Sequence, residues 1–524
     1  MTIFSNKSLF NIHFFYLILI FLFSFFINFY YAKFGSFPID TFLHYDSAFR
    51  ILNNEYPIRD YWIVSGFIID FLQSFFFKIL GVNWFAYTFH SSIFNFFISA
   101  FSYYFFLSLG LNKTKSLIYT LSFATLAYTI SGTPFVDHHA TFFLLISTYL
   151  IIIALNFPQK NYFWIFIVML FFLSFLSKQV PTVYVIMSQG AILLYFFFKT
   201  KEMNVIKIIF FSLIFFFILF LFLLIYLKID FKLFYIQYLD YPRTIGFDRY
   251  DRFEKSFEIF FNQYKFLFLP IILILIIKFK KTQNRKFDFS LKELIVFLIL
   301  LAFSMSLLFH QIMTRNQIFI YFLIPIFLAL LESEIQIFNM KNKKYFSIIL
   351  IMFTIFITLK YHYRFNETRK FHEMEKIDLD KSISAFTIDK SLNGLKWITP
   401  SFKNDPEKEI LILQKTKNRI EKINHQIILI THYLFLDSVT KKKLNYPSRT
   451  FTTEGASIPM RNHRFYADYK RFLIHKIKEN NVKEIYFLKH ENISKRIVTD
   501  FIDKNCYSLS EDELFYIFKI NCLM

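Results

Sequence analysis

Carboxylates suited to general-base chemistry are concentrated between residues 37 and 62. Asp40 follows the extended tripeptide Phe37-Pro38-Ile39, and aspartate is a preferred residue at the start of a helix. The pattern predicts a helix that begins at Thr41 and is capped by Asp40. A carboxylate there could accept a proton from a hydroxyl or an amine, or coordinate a metal ion. A capping aspartate in a solvated acidic loop is the simpler structural interpretation.

The same segment carries two further candidate substrate contacts, Asp46 and Asp60. On the predicted helix His44 and Ala48 share one face, whereas Asp46 points elsewhere.

A second polar cluster interrupts the apolar sequence at Thr133-Pro-Phe-Val-Asp137-His138-His139-Ala140. We expect it in a loop. A chain that only needed a turn would more readily use Gly, Asn or Ser there. Adjacent histidines point apart on a helix or a strand, so the pair is a weak signal for a metal site. A phosphate partner, or a second carboxylate for the Asp40 site, fits this placement better.

Basic side chains could contact a phosphate. Lys178 ends an apolar block that is predicted to reach the outer face, where lysine runs against the charge pattern. It could supply a point charge for a lipid phosphate, although a lysine that extends to the headgroups is the commoner case. The further candidates are Arg243, Arg249, Arg252 and Arg315, each of which alone is more typical of a headgroup contact or a surface charge.

The elements that must position these residues are membrane helices. The 524 residues are 55% apolar and 22% aromatic, and the apolar residues form long uninterrupted blocks. This composition excludes disorder, collagen and a disulfide-rich miniprotein, and predicts a polytopic α-helical membrane protein, because about 20 apolar residues cross a bilayer. The first block, from about His13, is interpreted as a retained anchor. Eleven spans are predicted: 13–32, 84–110, 116–132, 141–157, 162–177, 181–199, 205–228, 264–279, 293–310, 316–333 and 345–361.

Loop charge predicts the orientation. Lys-rich loops alternate with acidic loops, and lysines favour the cytoplasmic side, so the net charge of +21 does not by itself imply nucleic acid. The N-terminus is then inside and the C-terminus outside, in a bacterial inner (plasma) membrane. Counting 63–82 as a span would invert every later loop and leave Asp70 and Lys78 unpaired in the membrane. We therefore predict a helix in the outer interface for 63–82.

After residue 361 the composition becomes densely charged. Residues 1–361 are predicted to form the membrane domain and 362–524 a soluble α/β domain with a mainly parallel sheet. Neither nucleotide-binding glycine motif is present in it. Cys506 and Cys522 could pair in an oxidising compartment. The candidate strands are 409–413, 426–431, 484–488 and 514–520, and the candidate helices are 466–478 and 494–503.

The membrane half resembles the GT-C superfamily of polyprenyl-phosphate-sugar glycosyltransferases, in the branch of protein O-mannosyltransferases and lipid A aminoarabinose transferases. The family pattern is an Asp at the start of the first outer loop, a Tyr/Ala-bearing helix, an aspartate–aromatic step and a second juxtamembrane helix. A second acidic residue and a Ser/Thr-Lys step follow. The matching residues are Asp40, Tyr45-Asp46-Ser-Ala48 with Ile51-Leu52, Asp60-Tyr-Trp62, Ser65-Gly66 through Gly81, Asp137 and Leu176-Ser177-Lys178.

The resemblance implies transfer of a sugar, with inversion, from a polyprenyl-phosphate donor to a glycan, lipid or protein acceptor on the outer face. Asp40 would be the general base and Asp137 would orient the acceptor or a divalent metal ion. Lys178, with His138 or an arginine, would offset the charge of the leaving phosphate. Two alternatives stay open: a transporter or a lipid or polysaccharide flippase, and a catalytically inactive membrane scaffold. The expected substrate contacts are Asp46, Asp60, His138, His139, Lys178, Arg243 and Arg315.

Overall fold

A computed structural model describes residues 7–35, 38–250, 253–283, 291–314, 320–338, 342–369, 374–452 and 456–522. It is mostly helical, with 69% of residues in helices. The α-helices are α1 Lys7–Tyr31, α2 Pro38–Leu52, α3 Ile68–Leu80, α4 Trp84–Ser108, α5 Lys113–Ala127, α6 Val136–Ala154, α7 Asn161–Ser177, α8 Gln179–Thr200, α9 Met203–Tyr226, α10 Phe231–Phe234, α11 Tyr241–Tyr250, α12 Phe253–Gln283, α13 Leu291–Thr314, α14 Leu323–Ile337, α15 Lys343–His362, α16 Pro406–Glu421, α17 Leu436–Val439, α18 Tyr466–Glu479 and α19 Arg496–Thr499. The strands are β1 Ile383–Ser384, β2 Lys396–Trp397, β3 Ile427–Ile430, β4 Glu484–Leu488, β5 Tyr507–Glu511 and β6 Phe515–Ile520.

The chain is a polytopic helical membrane protein. A helix lies at each of the eleven predicted spans. Within the described ranges, seven helices are long and apolar enough to cross a bilayer. Their apolar stretches are Ile12–Tyr31, Val136–Ala154, Gln179–Thr200, Met203–Tyr226, Phe261–Lys281, Leu291–Thr314 and Lys343–Glu367.

The chain folds into two compact units, each assembled from segments that are far apart in sequence. Unit 1 comprises Met1–Ala32, Thr88–Leu219 and Arg249–Glu375, and it holds most of the long apolar helices. Unit 2 comprises Lys33–Tyr87, Phe220–Asp248 and Lys376–Met524. The predicted first outer loop, with α2 and α3, therefore forms one body with the C-terminal residues.

Unit 1 has an extensive apolar core, in which α6 packs on α7 and α8 packs on α13. Buried ion pairs also join its helices. The Glu334 carboxylate accepts from Lys278 at 2.7 Å and from Lys281 at 2.8 Å. A tight turn precedes α6: Gly132 has a φ of +63°, and a Cβ atom there would lie 2.4 Å from the carbonyl oxygen of Asn28. Only glycine fits this approach of the turn to α1.

The sheet of unit 2 has the order β3-β4-β6-β5. Only β3 and β4 pair in parallel, whereas β4–β6 and β6–β5 are antiparallel. The prediction of a mainly parallel sheet was therefore wrong. The short link between β5 and β6, in which the Asp512 carboxylate accepts from the Leu514 and Phe515 N–H groups, accounts for the direction of the β5–β6 pair. A connection this short permits only an antiparallel neighbour.

One predicted strand is a helix. Residues 409–413 lie inside α16, whose N-terminus is capped by Asp405 through the Lys408 N–H, with Pro406 following the cap. Ile410, Leu413 and Ile420 are buried at helical spacing, so a helix-period stripe was mistaken for a strand. The other three predicted strands are confirmed as β3, β4 and β6, and both predicted helices contain a helix, α18 and the shorter α19.

The first loop differs from prediction at its start. Helix α2 begins at Pro38, so Asp40 lies in the first helical turn and does not cap a helix that starts at Thr41. Proline is well suited to a first helical position because its φ is already helical. Within 63–82 the structure has α3, whose 13 residues extend about 20 Å, less than the roughly 30 Å hydrocarbon core.

Cys506 and Cys522 form a disulfide in unit 2, with their Cα atoms 4.8 Å apart.

Candidate functional site

Unit 1 brings two ionisable side chains, Lys178 and His310, to the carboxylate of Asp137. The chain enters α6 from an extended Phe135, which places Asp137 in the first turn of this helix. Lys178 stands between α7 and α8, and both Asp137 carboxylate oxygens lie 2.7 Å from its Nζ. His310 Nε2, from α13, lies 3.0 Å from Asp137 Oδ1.

This geometry limits what Asp137 can do. Its side chain is 3% exposed, and a lysine and a histidine already surround the carboxylate. Such a group orients its neighbours rather than accepting a proton from a bound substrate. The Lys178 side chain is 21% exposed, whereas the Asp137 side chain with which it pairs is buried.

The two histidines beside Asp137 have separate environments. The motif was predicted as a loop, but its three ionisable residues lie inside α6, which begins at Val136. The buried His138 ring stacks on Tyr128 with ring centroids 4.6 Å apart. His139 Nε2 lies 3.0 Å from His90 Nε2. The two adjacent rings therefore have different neighbours, Tyr128 for His138 and His90 for His139.

Asp40 differs from the other acidic residues of its segment. It is exposed in the first turn of α2. The other acidic residues between 40 and 70 are buried or half-buried: Asp46, Glu55, Asp60 and Asp70. Asp40 is therefore the carboxylate of this segment that solvent reaches best.

Asp46 belongs to a buried charged group in unit 2. Arg50 Nε donates to Glu55 Oε2 at 2.8 Å, and the Arg50 guanidinium lies 3.9 Å from the centre of the Tyr61 ring. Burial raises the pKa of Asp46 well above its usual range, and the negative charge of Asp437 raises it further. Burial also raises the pKa of Asp437, to about 6. A carboxyl group that favours its neutral form in this interior is poorly placed for a substrate contact.

Both carboxylate oxygens of Asp60 accept hydrogen bonds within unit 2. Oδ2 accepts from the Tyr56 N–H at 2.7 Å and from Arg59 Nε at 2.8 Å, and Oδ1 accepts from Lys476 of α18 at 3.1 Å. Burial acts to raise the pKa of Asp60, but the Arg59 and Tyr56 hydrogen bonds and the Lys476 charge hold it below its ordinary value. Asp60 thus fastens the first loop to a C-terminal helix, a role that its sequence position did not indicate.

A third buried group connects α2 and α3 with residue 449. His44 Nδ1 lies 2.7 Å from Asp70 Oδ1, and the other Asp70 oxygen pairs with Arg449. All three side chains are at most 4% exposed.

The remaining predicted phosphate contacts are arginines. Arg243 is exposed in α11 of unit 2. Arg315 and Arg252 lie outside the described residues, as does the side chain of Arg249.

Sequence reasoning missed three residues that contact the buried charged side chains described above: His310, Arg449 and Asp437. His310 carried a usable signal, because an ionisable residue inside an apolar block commonly faces a polar partner within the protein. Arg449 and Asp437 carried none, since their partners are distant in sequence; Arg449 lies 379 residues from Asp70. In the described part of the chain, no group of three or more His, Cys, Asp or Glu side chains is arranged to hold a metal ion.

No protein-family model matches the chain, and no curated protein shows significant sequence similarity to it.

Proposed function

We propose that the protein is a membrane glycosyltransferase that moves a sugar from a polyprenyl-phosphate donor to an acceptor on the outer face, with Asp40 as the general base. The observation that carries the proposal is the exposure of Asp40, in the first turn of α2, among acidic neighbours that are buried or half-buried. A base must reach the proton that it removes. The resemblance to the GT-C superfamily assigns this role to the same residue.

The proposed reaction is a single displacement. Asp40 takes the proton from an acceptor hydroxyl or amine while the acceptor atom bonds to the anomeric carbon. The bond from that carbon to the phosphate oxygen breaks, and the polyprenyl phosphate leaves with the electron pair, so the configuration inverts. The resemblance assigns to Lys178 the role of offsetting the charge on the phosphate. Because the His138 ring is buried, the expected cooperation of this histidine with Lys178 has no support.

Two features of unit 2 support an outer location for Asp40. Most of the residues that loop charge predicts to be outside, including 33–83 and 376–524, belong to this one compact unit. The unit also contains the Cys506–Cys522 disulfide, and disulfides persist in exported compartments. The predicted eleven-span topology, with the C-terminus outside, agrees with the shared unit and with the disulfide.

The experiment is a donor-consumption assay. Purified protein is incubated with a panel of polyprenyl-phosphate sugars, and the Asp40→Asn variant is compared with Asp503→Asn, the same substitution at an aspartate whose side chain is 80% exposed. We expect Asp40→Asn to lower transfer to a small residual rate without loss of expression or donor binding, and Asp503→Asn to be active. Near-normal turnover by Asp40→Asn would remove this residue from the mechanism. Movement of an intact lipid-linked sugar across vesicles, without its cleavage, would instead indicate a flippase.

A further inference from the structure

We propose that Arg449 is a positioning residue for Asp40: a buried cation, distant in sequence, that fixes the first turn of α2. The inference rests on the proposed function, which makes Asp40 the base. All the contacts that carry it lie within unit 2.

Arg449 is held in place by backbone pairing. Trp62 N–H donates to the Pro447 carbonyl at 2.9 Å, and Arg449 N–H donates to the Trp62 carbonyl at 2.9 Å. Residues 447–449 thus lie alongside the chain that leads into α3, and a β-bridge joins Trp62 and Ser448. This pairing directs the Arg449 side chain toward the start of α3.

Both terminal nitrogens of the guanidinium group have partners at that position. One Nη donates to the Gly66 carbonyl at 2.9 Å and to Ser65 Oγ at 3.1 Å, and the other Nη pairs with Asp70. Arg449 and Asp70 are 4% and 0% exposed, so the charge pair is shielded from water. Removal of one partner of such a pair leaves the other charge uncompensated in the interior. We therefore expect the loss of Arg449 to shift α3, which carries Asp70.

The contact continues from Asp70 to α2. Asp70 Oδ1 accepts from His44 Nδ1 at 2.7 Å. His44 follows Asp40 by four residues on the same helix, so the two lie on one face, one turn apart. Arg449 fixes Asp70, Asp70 fixes His44, and His44 fixes the helical turn that bears the base. A displacement of about 1 Å at a catalytic group costs on the order of 100-fold in rate.

The first test separates positioning from simple structural support. In the transfer assay, Arg449→Met should lower kcat by on the order of 100-fold with the donor KM unchanged. The same substitution in the Asp40→Asn background should leave the residual turnover unchanged, because the base it positions is absent. Arg464→Met is the matched control: Arg464 pairs with Asp240 at the surface of unit 2 and its side chain is 55% exposed. An equal loss on Arg449→Met in both backgrounds would overturn the proposal.

The second test needs no activity. The chain's only cysteines form the disulfide, so Asp40→Cys provides a single free thiol for a nitroxide spin label. Arg449→Met should increase the label's mobility, and Arg464→Met should not. If Arg449→Met does not fold, Arg449→Lys, which keeps the charge but not the planar fork, should show smaller changes in the same directions. Absence of transfer by the wild type with every donor would refute the proposed function, whereas unchanged label mobility would refute the positioning role.

Discussion

Glu491 follows β4 as one of the buried titratable side chains of unit 2. Its carboxyl group accepts from Thr431 Oγ1 at 2.5 Å and from the His432 N–H at 2.7 Å. Burial raises its pKa to about 8, and the negative charge of Glu409 adds to that effect, although both hydrogen bonds act to lower it. The folded protein therefore retains a proton at a pH where the unfolded chain has lost it.

This difference predicts how stability depends on pH. The contribution of Glu491 is complete below its unfolded pKa of about 4.5. It is lost as the pH rises to about 8, at up to about 1.4 kcal/mol per pH unit. Glu491→Gln should flatten the decline in the free energy of unfolding between pH 5 and 8. The measurement is denaturation of the detergent-purified protein across this range. Glu513→Gln, at a side chain that is 80% exposed, should keep the wild-type decline; a wild-type stability that does not change with pH would contradict the prediction.

At the scale of single residues, the sequence made Asp137, Lys178 and Asp40 candidates by type and position, but it did not indicate what surrounds them. Lys178 was a candidate because lysine was unexpected at that end of an apolar block, and it meets Asp137 directly. Asp46 and Asp60 could not be distinguished from Asp40 by sequence. The fold brings Asp437 close to Asp46 and Lys476 close to Asp60, and the sequence indicates neither approach.

Among the helices, the Asp137–Lys178–His310 contact joins α6, the α7–α8 junction and α13. Lys178→Met should leave the buried Asp137 carboxylate with a histidine alone and lower stability by about 3 kcal/mol. The double variant Lys178→Met/Asp137→Asn removes both charges and should recover much of that loss. The measurement is a double-mutant cycle on thermal unfolding in detergent. Additive effects of the two substitutions would show that the pair does not couple these helices.

The helices were largely predictable, and the sheet was not. Apolar blocks gave the positions of α1, α4 and the later long helices, because burial in a bilayer requires length and continuity. The strand prediction for 409–413 was wrong because a short apolar stripe fits both the helical and the strand periodicity. Asp405 followed by Pro406 was a helix-start signal, and it favoured the helix. The antiparallel β5–β6 pair depends on the short link before β6, which hydropathy does not reveal.

At the scale of the whole molecule, loop charge also predicted which segments lie on the same side of the membrane. It grouped the first loop with the C-terminal residues on one side of the membrane, and the two do form one compact unit. The ion pairs that hold them together, such as Lys443 with Glu55 at 2.6 Å, connect residues several hundred positions apart. The sequence therefore indicated that these segments share a compartment, but it could not indicate their contact surface.

The orientation itself gives the last prediction. The positive-inside rule assigns the loop with Lys113 and Lys115 to the cytoplasm and residues after 362 to the exterior. Thr114→Cys and Lys403→Cys each introduce one exposed thiol, since the native cysteines are bonded to each other. A membrane-impermeant maleimide should label position 403 in intact cells, or in spheroplasts where an outer membrane is present. Position 114 should react only after the membrane is permeabilised. The reverse pattern would place Asp40 and the disulfide in the cytoplasm, where exported acceptors are absent, and the proposed transferase would lose its outer-face substrate.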